Sequence, residues 1–241
     1  MVKKNTKTPA ARATYIVGIG ASAGGLEALE KLFRAMPVDS GMAFVVIRHL
    51  SPDFKSLMGE HLERYTTMPV ISVMEREIIA PNTIYLLPPK KDMVIDGDEL
   101  ICTDRPEDKV LSLPINTFFR SLATAWGGKA VAIVLSGTGS DGSAGIMDVH
   151  ESGGLVFAQS VDSSGFDGMP RSAIDTGYVD SILSPEEMPT ALKTQKSSST
   201  IHRHLRKTRH LNRVFQAFLN ACKPSTILIS IFINRKPSSG A

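Results

Sequence analysis

The chain has 241 residues, 42% hydrophobic and 21% charged, the balance of an ordinary globular protein with ample core. No apolar run approaches the roughly 20 residues of a membrane span, and the opening Met1-Val2-Lys3-Lys4-Asn5 lacks the apolar stretch of a secretory signal, so membrane insertion is not expected and a cytoplasmic location is. The net charge of +3 conceals an asymmetry: ten Lys and Arg and no acid lie from Lys193 onward, leaving residues 1–192 at −7, so the basic total does not mark the body as a nucleic-acid binder.

Residues 1–14 read as a disordered leader. A strand is predicted at 15–19, followed by a Gly-rich turn and a helix whose Leu26, Leu29, Leu32 and Phe33 recur at helical spacing, ended by Met36-Pro37. A second strand at 43–47, a helix at 55–65 after Ser51-Pro52-Asp53, and a strand at 69–73 follow. Strands at 83–87, 93–95 and 100–103, separated by Pro88-Pro89 and Asp96-Gly97-Asp98, predict a meander or hairpin. The helix–strand alternation resumes with a helix at 115–126, a strand at 130–135, a helix at 143–151 and a strand at 155–158. Helical stretches at 171–176 and 185–193 close the domain. The expected fold is α/β: a doubly wound, mostly parallel sheet with helices on both faces and a small antiparallel hairpin insertion. The segments are a leader at 1–14, one catalytic domain at 15–193, and a basic tail at 194–241 with a linker-like Lys196-Ser197-Ser198-Ser199 and an unpartnered apolar run at 227–233.

Three polar residues each follow a short apolar run that reads as a buried parallel strand: Ser22 in Gly20-Ala21-Ser22-Ala23-Gly24-Gly25, His49 after Phe44-Val45-Val46-Ile47-Arg48, and Asp141 in Gly137-Thr138-Gly139-Ser140-Asp141-Gly142. Open α/β sheets place catalysis at the carboxyl ends of their strands. A Ser, a His and an Asp at one such edge make a nucleophile, its general base and the group that orients the base. A serine on a tight strand-to-helix bend exposes its Oγ, and N–H groups at the helix start stabilise a developing oxyanion. His61 and His150 fall on predicted helices, and His202, His204 and His210 in the tail, so His49 alone takes a strand-end position. Cys102 and Cys222 match no metal or redox spacing.

The first turn also satisfies a dinucleotide fingerprint, Gly18-x-Gly20-x-x-Ala23. That reading calls for an acid at the end of the second strand to hold ribose hydroxyls; Arg48 stands there instead, which fits a 2′-phosphate and keeps an NADP-binding domain open as an alternative.

With these segments in order, the chain resembles the catalytic domain of the chemotaxis receptor methylesterases, the CheB type. The resemblance runs over about residues 15–192 and rests on Gly20-Ala21-Ser22-Ala23-Gly24-Gly25, Arg48-His49-Leu50, Gly137-Thr138-Gly139-Ser140-Asp141-Gly142 and Phe166-Asp167-Gly168-Met169-Pro170-Arg171-Ser172-Ala173. It implies a serine hydrolase that removes glutamyl γ-methyl esters from chemoreceptor cytoplasmic helices and deamidates particular glutamines, with Ser22, His49 and Asp141 as the triad. Ala23 and Thr138 are the oxyanion-hole candidates, and Arg48, Met169, Pro170 and Arg171 the residues expected along the substrate cleft. No metal or organic cofactor is expected. Arg48 stands where family members commonly carry Gln, and the tail matches nothing in the family. The first strand begins close to Met1, where many members have a receiver domain, so the chain is similar to the branch in which the esterase domain opens a longer fusion with methyltransferase and sensor segments, and activity without a phosphodonor is expected. Arg48 and the tail also keep open an inactive esterase fold serving as a signalling module.

Overall fold

The computed structural model describes residues 12–48, 58–105 and 113–194. In chain order the elements are β1 (Ile16–Ala21), α1 (Gly25–Ala35), β2 (Ala43–Arg48), α2 (Met58–Leu62), β3 (Val70–Ser72), β4 (Arg76–Ile78), β5 (Thr83–Leu86), β6 (Lys91–Asp96), β7 (Glu99–Asp104), α3 (Pro114–Trp126), β8 (Ala130–Val134), α4 (Gly145–Glu151), β9 (Leu155–Gln159), α5 (Gly168–Asp175) and β10 (Ser181–Leu183). Seven strands form one sheet in the order β10-β9-β8-β1-β2-β5-β3, with every neighbouring pair parallel.

Alternation along the central strands splits their side chains between two cores, as a sheet covered on both faces requires. On one face Ile16, Val45, Ile47, Ala132 and Val134 pack against Phe118, Phe119 and Leu122 of α3 and Ile146 and Val149 of α4. On the other, Val17, Ile19, Phe44, Val46 and Ile133 meet Leu29, Leu32 and Phe33 of α1 and Met58 and Leu62 of α2. The helical spacing of Leu29, Leu32 and Phe33 thus lands on the sheet, and extended Met36 before Pro37 stops α1.

The topology locates the crevice. From β1 the chain crosses through α1, on one face, to β2; from β8 it crosses through α4, on the opposite face, to β9. β1 and β8 are adjacent, so the strand order reverses between them and a cleft opens at their carboxyl ends.

The antiparallel insertion differs in its membership from the expected meander. Residues 83–87 do not join it: β5 is buried along its whole length and pairs parallel with β2 and β3 in the main sheet. The third antiparallel strand is β4, giving the order β4-β7-β6. Its Arg76-Glu77-Ile78 buries little and carries no apolar alternation to reveal it. This small sheet buttresses α3: Ile95 N–H donates to Ser121 Oγ (3.1 Å) and Trp126 Nε1 to the Gly97 carbonyl (2.7 Å).

Residues 12–14, read from the sequence as the end of a leader, pack on the domain, with Ala13 buried and Thr14 N–H donating to the Gly41 carbonyl (2.8 Å). Residues 1–11 and the tail from 195 lie outside the described residues. Among the described residues no helix is long and apolar enough to cross a membrane, and no cluster of three or more His, Cys, Asp or Glu is placed to hold a metal ion.

Candidate active site

Ser22 follows the last residue of β1 and is half-buried. Its N–H donates to the Ser136 carbonyl (3.0 Å), while Leu135 N–H donates to the Gly20 carbonyl (2.9 Å), so the β1–β8 ladder continues up to the nucleophile candidate. The chain then turns through Gly24, which holds φ +71° and precedes α1. A β-carbon there is penalised by the left-handed backbone and would stand 2.7 Å from Ser136 Oγ. Among the described residues the N–H groups of Ala23 and Thr138 donate no hydrogen bond. Ala23 directly follows Ser22 and leads into the start of α1, where an N–H group without a partner can receive negative charge.

The loop after β8 is fastened to this turn from below. A β-carbon at Gly137 would lie 2.9 Å from Ser22 Cβ, so glycine permits the close approach of the two strand ends. Ser136 N–H donates to buried Gln159 Oε1 (2.8 Å), and Ser136 Oγ stands 2.9 Å from the Ala23 carbonyl oxygen. The loop also holds the start of α5: Gly137 N–H donates to the Phe166 carbonyl (2.9 Å) and Met169 N–H to the Gly137 carbonyl (2.8 Å).

Asp141 is 4% exposed, and its carboxylate is built into the helix start of α3. Oδ2 accepts the N–H of Ile115 (3.0 Å), and Oδ1 those of Asn116 (2.9 Å) and Gly142 (2.9 Å). Helix α3 has no capping side chain of its own, so Asp141 supplies acceptors for first-turn amides from 25 and 26 residues away. Asn116 completes the clamp: its Oδ1 accepts Gly142 N–H (3.1 Å) and Gly145 N–H (2.7 Å).

The other expected residues fall in different places. Arg48 ends β2 opposite Ala21, on the α1–α2 face, with its guanidinium toward Met58. Burial pulls its pKa below the ordinary guanidinium value, and among the described residues its Nε has no hydrogen-bond partner. Met169 and Pro170 are buried beneath the β8 loop, whereas Arg171 is exposed and ion-paired with Asp167 (2.6 Å). His49 lies outside the described residues, directly after Arg48. Burial pushes the Cys102 thiol up to about 11, leaving it unsuited to act as a nucleophile. Asn116, Ser136 and Gln159 were missed from the sequence; the contacts that tie Asn116 Oδ1, Ser136 Oγ and Gln159 Oε1 into the site come from 23 to 113 residues away, and no local signal reveals such pairs.

The glycines of the dinucleotide fingerprint have another occupation. Gly18 and Gly20 lie inside β1 rather than in the turn. A β-carbon would stand 2.9 Å from Phe118 Cε1 at Gly18 and 2.5 Å from Ile115 Cγ2 at Gly20. They are small so that α3 can lie on the strand, where a cofactor pyrophosphate would have no access.

Comparison with known proteins gives a consistent picture. The family model described as CheB methylesterase matches residues 17–192. A protein-glutamate methylesterase/protein-glutamine glutaminase of Mesorhizobium japonicum is 32% identical over 169 residues, covering 70% of this chain and 50% of its own. A namesake from Pseudomonas savastanoi pv. phaseolicola is 35% identical over 68% of this chain and 49% of its own. An uncharacterised 104.1 kDa protein of Rhodobacter capsulatus is 48% identical over 132 residues, which is 54% of this chain and 14% of that one. The chain thus spans about half the length of the methylesterase relatives it matches, and far less of the 104.1 kDa protein. The crystal structure of the Thermotoga maritima CheB methylesterase catalytic domain superposes with a TM-score of 0.68 at 26% identity, covering 75% of this chain and 97% of that one.

Proposed function

Because this chain belongs to the CheB methylesterase family, we propose that it is a serine hydrolase that cleaves glutamyl γ-methyl esters of chemoreceptor cytoplasmic helices and deamidates particular glutamines. The observation that carries the reading is the placement of Ser22 at the β1–β8 switch point, beside the loop that delivers buried Asp141.

In this mechanism Ser22 Oγ attacks the ester carbonyl carbon while His49 takes the hydroxyl proton. The oxyanion of the tetrahedral intermediate is received by the N–H groups of Ala23 and Thr138. Collapse breaks the C–O bond to the methoxy group, and His49 returns the proton to release methanol. Water then attacks the acyl-enzyme with His49 again as base, freeing the glutamate carboxylate and restoring Ser22. With a glutamine the same steps expel ammonia. Asp141 orients His49 and stabilises its protonated form; the amides of Ile115, Asn116 and Gly142 keep its carboxylate in one place. No step calls for a cofactor.

The test is covalent labelling with a fluorophosphonate and mapping of the modified residue. Label on Ser22, with methanol release abolished in Ser22→Ala, supports the assignment. A folded sample that takes no label, or takes it on another serine, favours an esterase fold that serves only as a signalling module.

A further inference from the structure

We propose that Phe166 is the apolar contact by which the site grips the polypeptide bearing the ester, setting substrate preference without touching the reacting bond. The inference rests on the esterase reading above. Phe166 is 48% exposed, yet its backbone is among the most firmly held at the site. Its N–H donates to Ser136 Oγ (2.9 Å), its carbonyl accepts Gly137 N–H (2.9 Å), and that carbonyl also stands 3.1 Å from Ser136 Oγ. Ser136 is the residue whose carbonyl accepts Ser22 N–H, so the ring is mounted on the support that fixes the nucleophile. The ring also borders the turn itself: a β-carbon on Gly24 would stand 3.0 Å from Phe166 Cδ2.

Singly exposed apolar side chains are ordinary on protein surfaces, and position alone would mean nothing. What separates Phe166 from the exposed Met74 or Ile78 is its tie to Ser136 and its place beside the Ser22 turn. The chemistry calls for such a contact. A methyl ester offers a carbonyl and one methyl group, so preference for one ester over others must come from binding remote from the reacting bond. A rigid aromatic ring on an ordered backbone gives up little conformational entropy when it meets a partner. The partner it suits is an aliphatic side chain three or four positions from the esterified glutamate on a helix, about 5–6 Å away along the same face. The residue after Phe166 in the chain, Asp167, is charged and ion-paired with exposed Arg171, so the apolar contact is offered by the ring and not by its chain neighbour.

The test compares three substrates on the full chain: a helical peptide with one glutamate γ-methyl ester and leucines three and four positions away, the same peptide with serines there, and p-nitrophenyl acetate. Phe166→Ala should lower kcat/KM for the leucine peptide roughly tenfold, mainly through KM, with both other substrates nearly unchanged. Phe166→Leu should restore much of the loss. Equal losses on all three substrates would mark Phe166 as merely structural, and no loss on any would also overturn the inference. Wild-type protein that cleaves neither peptide nor small ester sinks the esterase reading and this inference together; an active wild type indistinguishable from Phe166→Ala sinks this inference alone.

Discussion

Ser22 and Asp141 carry opposite structural burdens. The Ser22 side chain makes no hydrogen bond with another described residue, so Ser22→Ala should abolish ester hydrolysis while shifting Tm by less than about 2 °C. Asp141→Ala strands the buried amides of Ile115 and Asn116, while Gly142 N–H keeps Asn116 Oδ1, and should cost activity together with about 1–3 kcal/mol of stability, read from denaturant unfolding. Equal Tm changes in the two variants would contradict this division of roles. Arg48 tests the reverse sign. Its guanidinium is half-buried with Nε unpartnered, so Arg48→Met should raise Tm by about 2–4 °C in thermal melts; a lower Tm would show that the charge stabilises the fold. The place of Ser22 directly after β1 was legible in sequence, because an apolar run that stops at a polar residue and glycines marks a strand end; Asp141 comes seven residues after β8 ends at Val134. The hold on Asp141 was not legible: Asn116 looks like any polar residue near a helix start until Gly142 and Gly145 arrive from 26 and 29 residues away.

At the scale of elements, α3 connects folding to the site. It covers Gly18 and Gly20 of β1 with one face and offers its first amides to Asp141. Gly20→Ala should therefore push α3 off the strand and destabilise the domain by about 1–3 kcal/mol, with a fall in esterase rate because Asp141 moves with the helix. An NADP titration should leave the fluorescence of Trp126 unchanged, and saturable quenching would revive the dinucleotide reading. The same fingerprint explains why local spacing misled: a small residue wanted for helix packing and one wanted for a phosphate look alike in sequence. Strand β7 adds a pH signature. Its Cys102 thiol is raised by burial from 9.0 to about 11, so the fold favours the protonated form. That contribution is fully present below pH 9 and is lost as pH rises toward 11. Denaturant unfolding across this range should show a steeper decline in the parent than in Cys102→Ala; identical declines would place the loss elsewhere.

For the molecule as a whole, the compact unit ending at Thr194 contains every strand described, and the family match over residues 17–192 covers all of them but Ile16, the first residue of β1. A chain cut after Thr194 should hydrolyse esters at the parent rate and melt at the parent temperature, and a loss of either would make residues 195–241 part of the working domain. The α/β class was legible because alternating strand and helix leaves few topologies. The membership of the small sheet was not, since Pro88-Pro89 resembles a hairpin turn whether or not the preceding strand lies in the parallel sheet.

The carboxylate that caps α3 has an implication for descent. A lineage of this domain released from chemistry can discard its serine at almost no cost to folding, but discarding the acid unpins a central helix. Silent descendants should therefore keep the aspartate long after the nucleophile has drifted away. In a survey of kindred genomes, the presence of that acid should report an intact scaffold, and under the proposed mechanism only the serine should report a working enzyme.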